Sequence, residues 1–168
     1  MPRAALPTID KQRVLEALRE RLEEQLRALT TSQKAAQSGA THEEARQEHP
    51  KDTRAIEAQY LARGLAERVE RLRDAVATLA ALPLSTAGGD DEIGLAALVG
   101  VVDETGQVAR YFIVPAGGGE LLDVDGMAIQ SLTPASPLGS ALIGKQVGDD
   151  ALVTLPKGRL TLTIEWIA

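Results

Sequence analysis

The sequence predicts an α+β protein, in which a long antiparallel α-helical coiled-coil hairpin precedes a small β-rich domain with one short helix. Two observations support this prediction. Residues 11–82 are rich in Ala, Leu, Glu, Arg and Gln and contain a single proline, Pro50. From Pro83 onward the chain is rich in Gly, Val, Ile and Thr, and turn residues recur. We therefore predict a hairpin at 1–82 with a tip loop at about 39–51, a linker at 83–92 and a second domain at 93–168.

Each predicted helix carries one narrow stripe of Leu and Val at intervals of three and four residues, the spacing of a single helix face. In the second helix the intervals alternate between four and three, as in a coiled-coil seam. Neither stripe is wide enough to bury a helix alone, so we expect the two helices to pack antiparallel along a shared seam. The stripes are Leu15, Leu18, Leu22, Leu26 and Leu29 in the first helix, and Leu65, Val69, Leu72, Val76 and Leu79 in the second.

The predicted tip loop is crowded with acidic and basic residues. Thr8 is expected to cap the first helix and Gly39 to end it. Thr41 and Glu44 have capping-box spacing, which predicts a short helical turn, and Asp52 is well placed to cap the second helix. Two interpretations stay open: a solvated connection whose acids serve as caps, or a polar working end held far from the body.

The second domain is predicted to contain several strands and one short helix. Apolar runs at 95–102, 108–114 and 127–132 predict three strands, with a hairpin turn at 103–106 between the first two. Ser136 and Pro137 predict the cap and first position of the short helix. Residues 151–155 and 159–167 form the last predicted pair. In the final strand the apolar residues alternate with polar ones, which predicts one buried face made of Leu160, Leu162, Ile164 and Trp166.

The composition excludes several classes of function. A net charge of −6 and a pI near 5.0 argue against binding to free DNA, which requires a basic surface. The absence of cysteine removes disulfides and thiolate metal sites from consideration. The start of the chain does not read as a signal peptide, and no apolar run is long enough to cross a membrane. We therefore expect a soluble cytoplasmic protein that has no membrane partner.

Two apparent motifs do not support an enzyme. Residues 139–145 match most of a phosphate-binding loop, but the next residue is Gln146 instead of the Ser or Thr that would hold magnesium. His42 and His49 are the only histidines, and both belong to the predicted tip. No Ser/His/Asp arrangement and no cysteine-assisted metal site is therefore expected. The sequence predicts no cofactor of the chain's own.

Four segments match the pattern of a known family. Three lie in the second domain: residues 136–145, beginning Ser136-Pro137-Leu138, then 148–150 and 154–158. The fourth, Glu-Ala-Gln-Tyr-Leu-Ala-Arg at 57–63, is similar to an Asn-Ala-Glu-Tyr stretch at the start of that family's second helix. The chain resembles the Gre family of bacterial transcription elongation factors over about residues 15–167. The order of parts also matches: an N-terminal coiled coil, a linker, and a β domain that the resemblance implies is FKBP-like.

The resemblance implies a function in transcription. Gre factors are accessory proteins whose β domain docks on the rim of the secondary channel of RNA polymerase. The matching docking residues here are Ser136, Pro137 and Leu138. The coiled coil enters the channel and brings tip carboxylates to the polymerase active site, where they help to hold a second Mg²⁺ and a water for hydrolysis of backtracked RNA. Two hard cations close together stabilise the attacking and leaving oxygens of such a reaction. The implied partners are RNA polymerase and the RNA 3′ end, and the Mg²⁺ is shared with the polymerase.

The tip departs from the family pattern of Asp-x-x-Glu. Asp52 is the best match to the family's metal ligand, but Ala55 stands three residues later. Glu57 is five positions on, about 140° round a helix, so it would not share a face with Asp52. Glu57 and Glu48 are the candidate second carboxylates, and the bases expected to face RNA phosphate are Arg46, Lys51 and Arg54. The other acids that stay open are Glu43 and Glu44.

Three alternative functions stay open. Within the family, the chain is a channel-binding regulator that does not promote cleavage. From a different class, the β domain is an FKBP-like prolyl isomerase or chaperone, although the scarcity of aromatic residues counts against an aromatic-lined pocket. A third class is a coiled-coil scaffold, which would explain the hairpin and leave the second-domain signature unexplained.

Overall fold

The structure, a computed structural model, describes residues 9–45, 53–84, 92–156 and 158–168. It confirms the predicted fold class: two long helices come first, and a sheet domain with one short helix follows. The chain divides into two compact units, one made of Met1–Arg19 with Thr78–Ala168 and the other of Glu20–Ala77. The elements are α1 (Lys11–Ala45), α2 (Thr53–Ala80), β1 (Leu98–Asp103), β2 (Val108–Ile113), β3 (Leu121–Val124), β4 (Met127–Leu132), α3 (Pro137–Leu142), β5 (Asp150–Leu155) and β6 (Gly158–Ile167).

Asp10 caps the start of α1. Its backbone oxygen accepts the N–H of Val14 at 3.2 Å, and its Oδ1 accepts the N–H of Gln12 at 2.9 Å. These bonds satisfy backbone donors that the first helical turn cannot satisfy itself. Thr8, which the sequence predicts as the cap, lies outside the described residues.

The first helix is longer than the sequence predicts. It continues through Gly39 to Ala45, so the predicted tip loop is wrong for residues 39–45. Hydroxyl side chains along its second half donate to the carbonyl oxygen one turn earlier, as Thr30 does to Leu26 at 2.7 Å. Thr41 donates to Gln37 in the same way at 3.0 Å, so it is an interior helical residue and does not cap a new turn. Such bonds satisfy a polar side chain without ending a helix.

The unit Glu20–Ala77 buries one seam between its two helices. Leu22 on α1 is 2% exposed, and Ala55 and Val69 on α2 are 2% and 1% exposed. The remaining stripe residues of this unit are half-buried: Leu26, Leu29, Leu65, Leu72 and Val76. This agrees with the predicted seam, and burial is deepest at a small number of positions.

The sheet has six strands in the order β3-β4-β2-β1-β6-β5. All neighbouring pairs are antiparallel except β2 with β4, which run parallel. The short strand β3 is not among the predicted strands. The turn between β3 and β4 is made by Asp125 and Gly126, with φ of 55° and 76°. Asp-Gly with both φ values positive is the preferred two-residue hairpin turn, so the pair between two apolar runs was a usable signal.

Both faces of the sheet are covered. One face packs against α3 and includes Val99, Val101 and Ile113, which are each 0% exposed. The opposite face carries Leu98 and Phe112, which are also 0% exposed. The side chains of α1 that precede Glu20 belong to the same compact unit as this face.

Two cationic side chains attach the first turn of α1 to the sheet domain. Lys11 Nζ donates to the carbonyl oxygen of Ala96 at 3.2 Å, and partial burial lowers the pKa of Lys11. Arg13 pairs with Asp125 at 2.6 Å, although both side chains are about half exposed. Residues before Glu20 are therefore part of the folded second domain, in contrast to the predicted domain boundary at residue 83.

A β-bulge near the chain end changes which residues face the core. Gly100 pairs with Trp166, but Val101 pairs with Ile164, so Glu165 is an extra residue in β6. The bulge places Ile167 in the core cluster with Ile164 and turns Trp166 to the other face. There the indole lies against Gly100 so closely that any Cβ at position 100 would overlap it. The predicted buried face is therefore correct for Leu162 and Ile164 and wrong for Trp166.

The predicted hairpin turn between β1 and β2 is present, and the carboxylate of Asp103 organises it. Its Oδ1 accepts the Thr105 hydroxyl at 2.6 Å and the backbone N–H groups of Thr105 and Gln107 at 2.8 and 2.9 Å. The bonds from Thr105 Oγ1 and then Gln107 N–H hold the pKa of Asp103 below its ordinary value of 3.8.

We expect acid to weaken the sheet domain through Asp103. Because its folded-state pKa is depressed, its stabilising effect is present above the unfolded pKa near 4 and is lost as the pH falls through the folded value. Urea unfolding of wild type between about pH 6 and 2 should show this loss. Asp103→Asn should flatten that part of the dependence, and Glu104→Gln is the matched control in the same turn. An unchanged acid dependence in Asp103→Asn would contradict the assignment.

Within the described ranges, no helix combines the length and the apolar character that crossing a bilayer requires.

Candidate functional site

The connection between β4 and α3 is held in a tight turn by the hydroxyl of Ser136. Its Oγ donates to the carbonyl oxygen of Thr133 at 2.8 Å and accepts the backbone N–H of Gly139 at 3.0 Å. The backbone of Ser136 is extended, with φ −71° and ψ 151°, and Pro137 occupies the first helical turn. Ser136 is therefore the N-cap of α3, as the sequence predicts, and Pro137 begins the helix without losing a backbone hydrogen bond.

Gly139 lets α3 approach this turn at very short range. A Cβ at position 139 would overlap the carbonyl oxygen of Thr133 and would lie 2.9 Å from Ser136 Oγ. The neighbour is a backbone carbonyl, so it cannot rotate away as a side chain could. Gly139 is buried in α3. Its role here is close approach, and any larger residue would push the helix off the Thr133 turn.

The predicted docking residues therefore differ in what they offer to a partner. The Ser136 hydroxyl is already used in bonds within the turn. Leu138 is half-buried and packs against the core cluster of the sheet domain. Pro137 is exposed, and so is Ser140 one turn later, whose Oγ donates to the Pro137 carbonyl at 3.0 Å. The accessible surface at the start of α3 is therefore the Pro137 ring with the adjoining helix edge.

The far end of α3 is anchored to the start of the sheet domain. Ile143 N–H donates to Gly139 O at 3.0 Å, which closes the last turn of the helix. Gly144 N–H donates to Ile93 O at 2.9 Å, and Ile93 N–H donates to Lys145 O at 2.8 Å. Gly139 thus lies within α3, and Gly144 follows its C-terminal end. The partial phosphate-loop match has no strand-loop-helix context, which supports its rejection from the sequence.

Most of the predicted tip residues cannot be assessed from the fold. Asp52, Glu48, Arg46 and Lys51 lie outside the described residues, as do the side chains of Glu43 and Glu44. Arg54 and Glu57 are exposed on the first turns of α2. Ala55, three residues after Asp52, is 2% exposed in the helical seam. The described part of the tip therefore includes one of the three proposed carboxylates, that of Glu57.

The end of α1 carries a polar depression. Its volume is about 700 Å³, and its described lining consists of Lys34, Gln37, Ser38, Thr41 and His42. No acidic side chain is in that lining. Among the residues whose positions are described, no cluster of three or more His, Cys, Asp or Glu could hold a metal ion.

Sequence reasoning identified the cap and missed the residues that shape its turn. Thr133 supplies the carbonyl oxygen that receives Ser136, and Gly139 supplies the space above it. The signal was the spacing of Ser, Pro and Gly at 136, 137 and 139, since a glycine inside a helix needs a packing reason.

Comparisons with known proteins agree with this geometry. The family model for the C-terminal part of transcription elongation factors GreA/GreB matches residues 88–168. The transcription elongation factor GreA of Sulfurovum sp. is 36% identical over 106 residues, which are 62% of this chain and 61% of that protein. GreA of Solidesulfovibrio magneticus is 32% identical over 105 residues, 62% of this chain and 60% of that protein. The chain thus spans about three fifths of the length of the curated relatives it matches.

One solved structure that the chain matches is GreA factor homolog 1 (Gfh1) of Thermus thermophilus. The match covers 90% of this chain and 95% of that one, at 24% identity and a TM-score of 0.39. The family model and the GreA relatives carry this similarity. Residues 88–168 match the C-terminal part of GreA/GreB, and the chain is similar to the GreA transcription elongation factors.

Proposed function

We propose that this chain binds bacterial RNA polymerase in the cytoplasm and acts on elongation as an accessory factor, without catalysis of its own. The match of residues 88–168 to the GreA/GreB family model and the name of the GreA relatives support the proposal. The observation that carries it is the start of α3, where a capped turn presents an exposed Pro137 ring on a rigid base. Exposed apolar groups on rigid elements are favourable contacts for a protein partner.

Docking in this proposal uses Ser136, Pro137 and Leu138 in separate roles. Pro137 makes the contact, because it is exposed. Ser136 fixes the turn through Thr133 and Gly139, so it is a positioning residue. Leu138 anchors α3 to the sheet by packing against the core cluster. Loss of the Ser136 hydrogen bonds or of the Leu138 packing would therefore displace Pro137, although the proline itself would still be present.

The helical hairpin reaches the polymerase active site through the secondary channel in this proposal. Asp52 lends a carboxylate to a Mg²⁺ that belongs to the polymerase, and Glu48 or Glu57 supplies a second acid. Arg46, Lys51 and Arg54 face the phosphates of the RNA 3′ end. The polymerase performs the hydrolysis of backtracked RNA, and the chain supplies oxygen ligands and charge.

A second candidate function is a channel-binding regulator that does not promote cleavage. The observation that favours it is Ala55. The family pattern has an acidic residue three positions after the Asp that Asp52 matches, and this chain has Ala55 there. Ala55 is 2% exposed in the helical seam. A glutamate at that position would put a charge into a packed interface, which is costly. The isomerase alternative gains no such support, since Tyr111 and Phe112 are buried in the sheet domain at 9% and 0% exposure.

Cleavage of RNA in stalled, backtracked elongation complexes separates the two candidates. If the chain promotes cleavage, wild type should accelerate it, and Asp52→Asn should remove most of the effect, because Asn caps a helix well and binds Mg²⁺ poorly. Glu104→Gln in the sheet domain is the charge-matched control and should behave as wild type. Binding without stimulation by wild type would favour the regulator. Stimulation that survives Asp52→Asn would exclude Asp52 as the ligand and move attention to Glu43, Glu44 and Glu48.

A further inference from the structure

Tyr60 is the aromatic side chain of this protein that is most open to solvent. The chain has only four aromatic residues. Phe112 and Tyr111 are 0% and 9% exposed in the sheet domain, and Trp166 is half-buried against Gly100. Tyr60 lies on α2 and is 73% exposed. A tyrosine ring this open, in a chain that buries its other aromatic residues, has no packing role within the described fold.

The glycine one turn later leaves this ring uncovered. Side chains on a helix lean toward its N-terminus, so a side chain at position 64 would lie over the turn that carries Tyr60. Gly64 provides none. A Cβ at this position would meet nothing within 4 Å, so no close approach inside the protein requires a glycine here. Glycine also destabilises a helix interior relative to alanine. The structure shows open space above Gly64, one helical turn after Tyr60.

The helix segment that carries Tyr60 has a small excess of positive charge. Residues 53–63 of α2 contain two arginines, Arg54 and Arg63, against the single acid Glu57. The whole helix carries five arginines and four acidic residues, in a chain whose net charge is −6. Arg63 pairs with Glu67 at 3.3 Å, and both side chains are exposed, so the pair is weak and open to exchange with a phosphate.

We propose that Tyr60 is a stacking platform for one nucleobase of single-stranded RNA and that Gly64 keeps its face accessible. The inference rests on the proposed function, in which the hairpin meets the RNA 3′ end inside the polymerase. An unpaired base stacks on an aromatic ring without regard to its sequence, because every base has a flat π-face. Arg63, three residues after Tyr60 on the same side of the helix, favours the phosphates that accompany such a base.

Photo-crosslinking in backtracked elongation complexes tests the proposal. The RNA carries 4-thiouridine at its 3′ end, the full chain is added, and the crosslinked peptide is mapped. The wild type should crosslink within the α2 segment that contains Tyr60. Tyr60→Ala should weaken the RNA-dependent part of binding by about 5- to 150-fold, the range for one lost base stack. Tyr60→Phe keeps the ring and should retain most of the binding.

Gly64→Leu distinguishes stacking from a structural role. Leucine has a higher helix propensity than glycine, so helix content should hold or rise while the ring is covered and the RNA crosslink falls. Leu61→Ala is the matched control, because Leu61 is 60% exposed and lies on a neighbouring part of the surface. It should leave the crosslink unchanged.

The outcomes distinguish this proposal from the proposed function. If polymerase binding is normal and neither Tyr60→Ala nor Gly64→Leu reduces the RNA crosslink, the stacking role is wrong and the proposed function stands. Equal weakening by Tyr60→Ala with core polymerase that lacks RNA would also overturn it, since the ring would then contact protein. A wild type that binds no polymerase would overturn the proposed function, and the stacking role with it.

Discussion

The Gly139→Ala variant should lose most of its affinity for RNA polymerase while its sheet domain stays folded. The new methyl group would overlap the carbonyl oxygen of Thr133, so α3 must move away from the turn that Ser136 holds. Overpacking of this kind costs about 1–3 kcal/mol, which the domain can absorb. The displaced Pro137 would no longer be presented correctly, and we expect binding to fall about tenfold or more. Binding is measured by titrating the full chain against core polymerase.

Ser140→Ala is the matched control for this prediction. Ser140 lies on the same short helix, is exposed, and loses only its bond to the Pro137 carbonyl. It should bind polymerase within a few-fold of wild type. The full chain is needed in both cases, because residues before Glu20 belong to the same compact unit as the sheet. Full binding by Gly139→Ala would show that α3 does not position the contact.

The Leu22→Ala variant should melt the helical unit at markedly lower denaturant than wild type. Leu22 is 2% exposed in a slender two-helix seam that has little other burial. Truncation of a buried leucine to alanine costs about 2–5 kcal/mol, and this unit has few contacts that could compensate. Urea unfolding followed by helical circular dichroism measures the loss. Leu61→Ala is the control, since Leu61 is 60% exposed on α2 and should change stability by less than about 0.5 kcal/mol.

The stability of the sheet domain should be nearly unchanged in Leu22→Ala. Leu22 belongs to the unit Glu20–Ala77, and the Trp166 indole belongs to the other. Trp166 fluorescence should therefore report a transition close to that of wild type. Equal stability of Leu22→Ala and wild type by helical signal would mean that the seam does not hold the helices together.

The sequence predicted those elements that depend on interactions between residues close together in the chain. Strand β4 occupies the predicted residues 127–132, and α3 begins where Ser136 and Pro137 predict it. Both depend on short-range chemistry: alternation along a strand, and a cap whose hydroxyl reaches three residues on. The heptad seam of the helices was predicted for the same reason, as Leu22 and Val69 illustrate.

Features that depend on distant partners were not predictable in this way. The orientation of Trp166 depends on an extra residue in β6 relative to β1, and simple alternation contains no record of such a bulge. The helix passes Gly39 because one glycine costs only about 1 kcal/mol. Beyond it, the Thr41 hydroxyl donates to the Gln37 carbonyl instead of capping a new turn. The attachment of Lys11 and Arg13 to the sheet domain joins residues far apart in the chain.

The candidate site shows the same division. The resemblance indicated Ser136, Pro137 and Leu138 together, and only three-dimensional contacts separate an exposed ring from a cap and a core anchor. The need for glycine at position 139 follows from its distance to the Thr133 carbonyl, which a one-dimensional pattern cannot supply. The sequence shows only that Ala55 replaces the acid of the family pattern. The structure adds that Ala55 is buried, so an acid at this position would be costly.

Co-migration of the full chain with core RNA polymerase on size exclusion tests whether Pro137 mediates binding to the polymerase. We expect wild type to elute with the polymerase and Pro137→Asp to elute alone. Aspartate is well accepted in a first helical turn, so α3 should still form while its exposed apolar ring becomes a charge. Circular dichroism and Trp166 fluorescence confirm that the variant is folded. A wild-type chain that elutes alone, or a Pro137→Asp chain that still elutes with polymerase, would contradict the account.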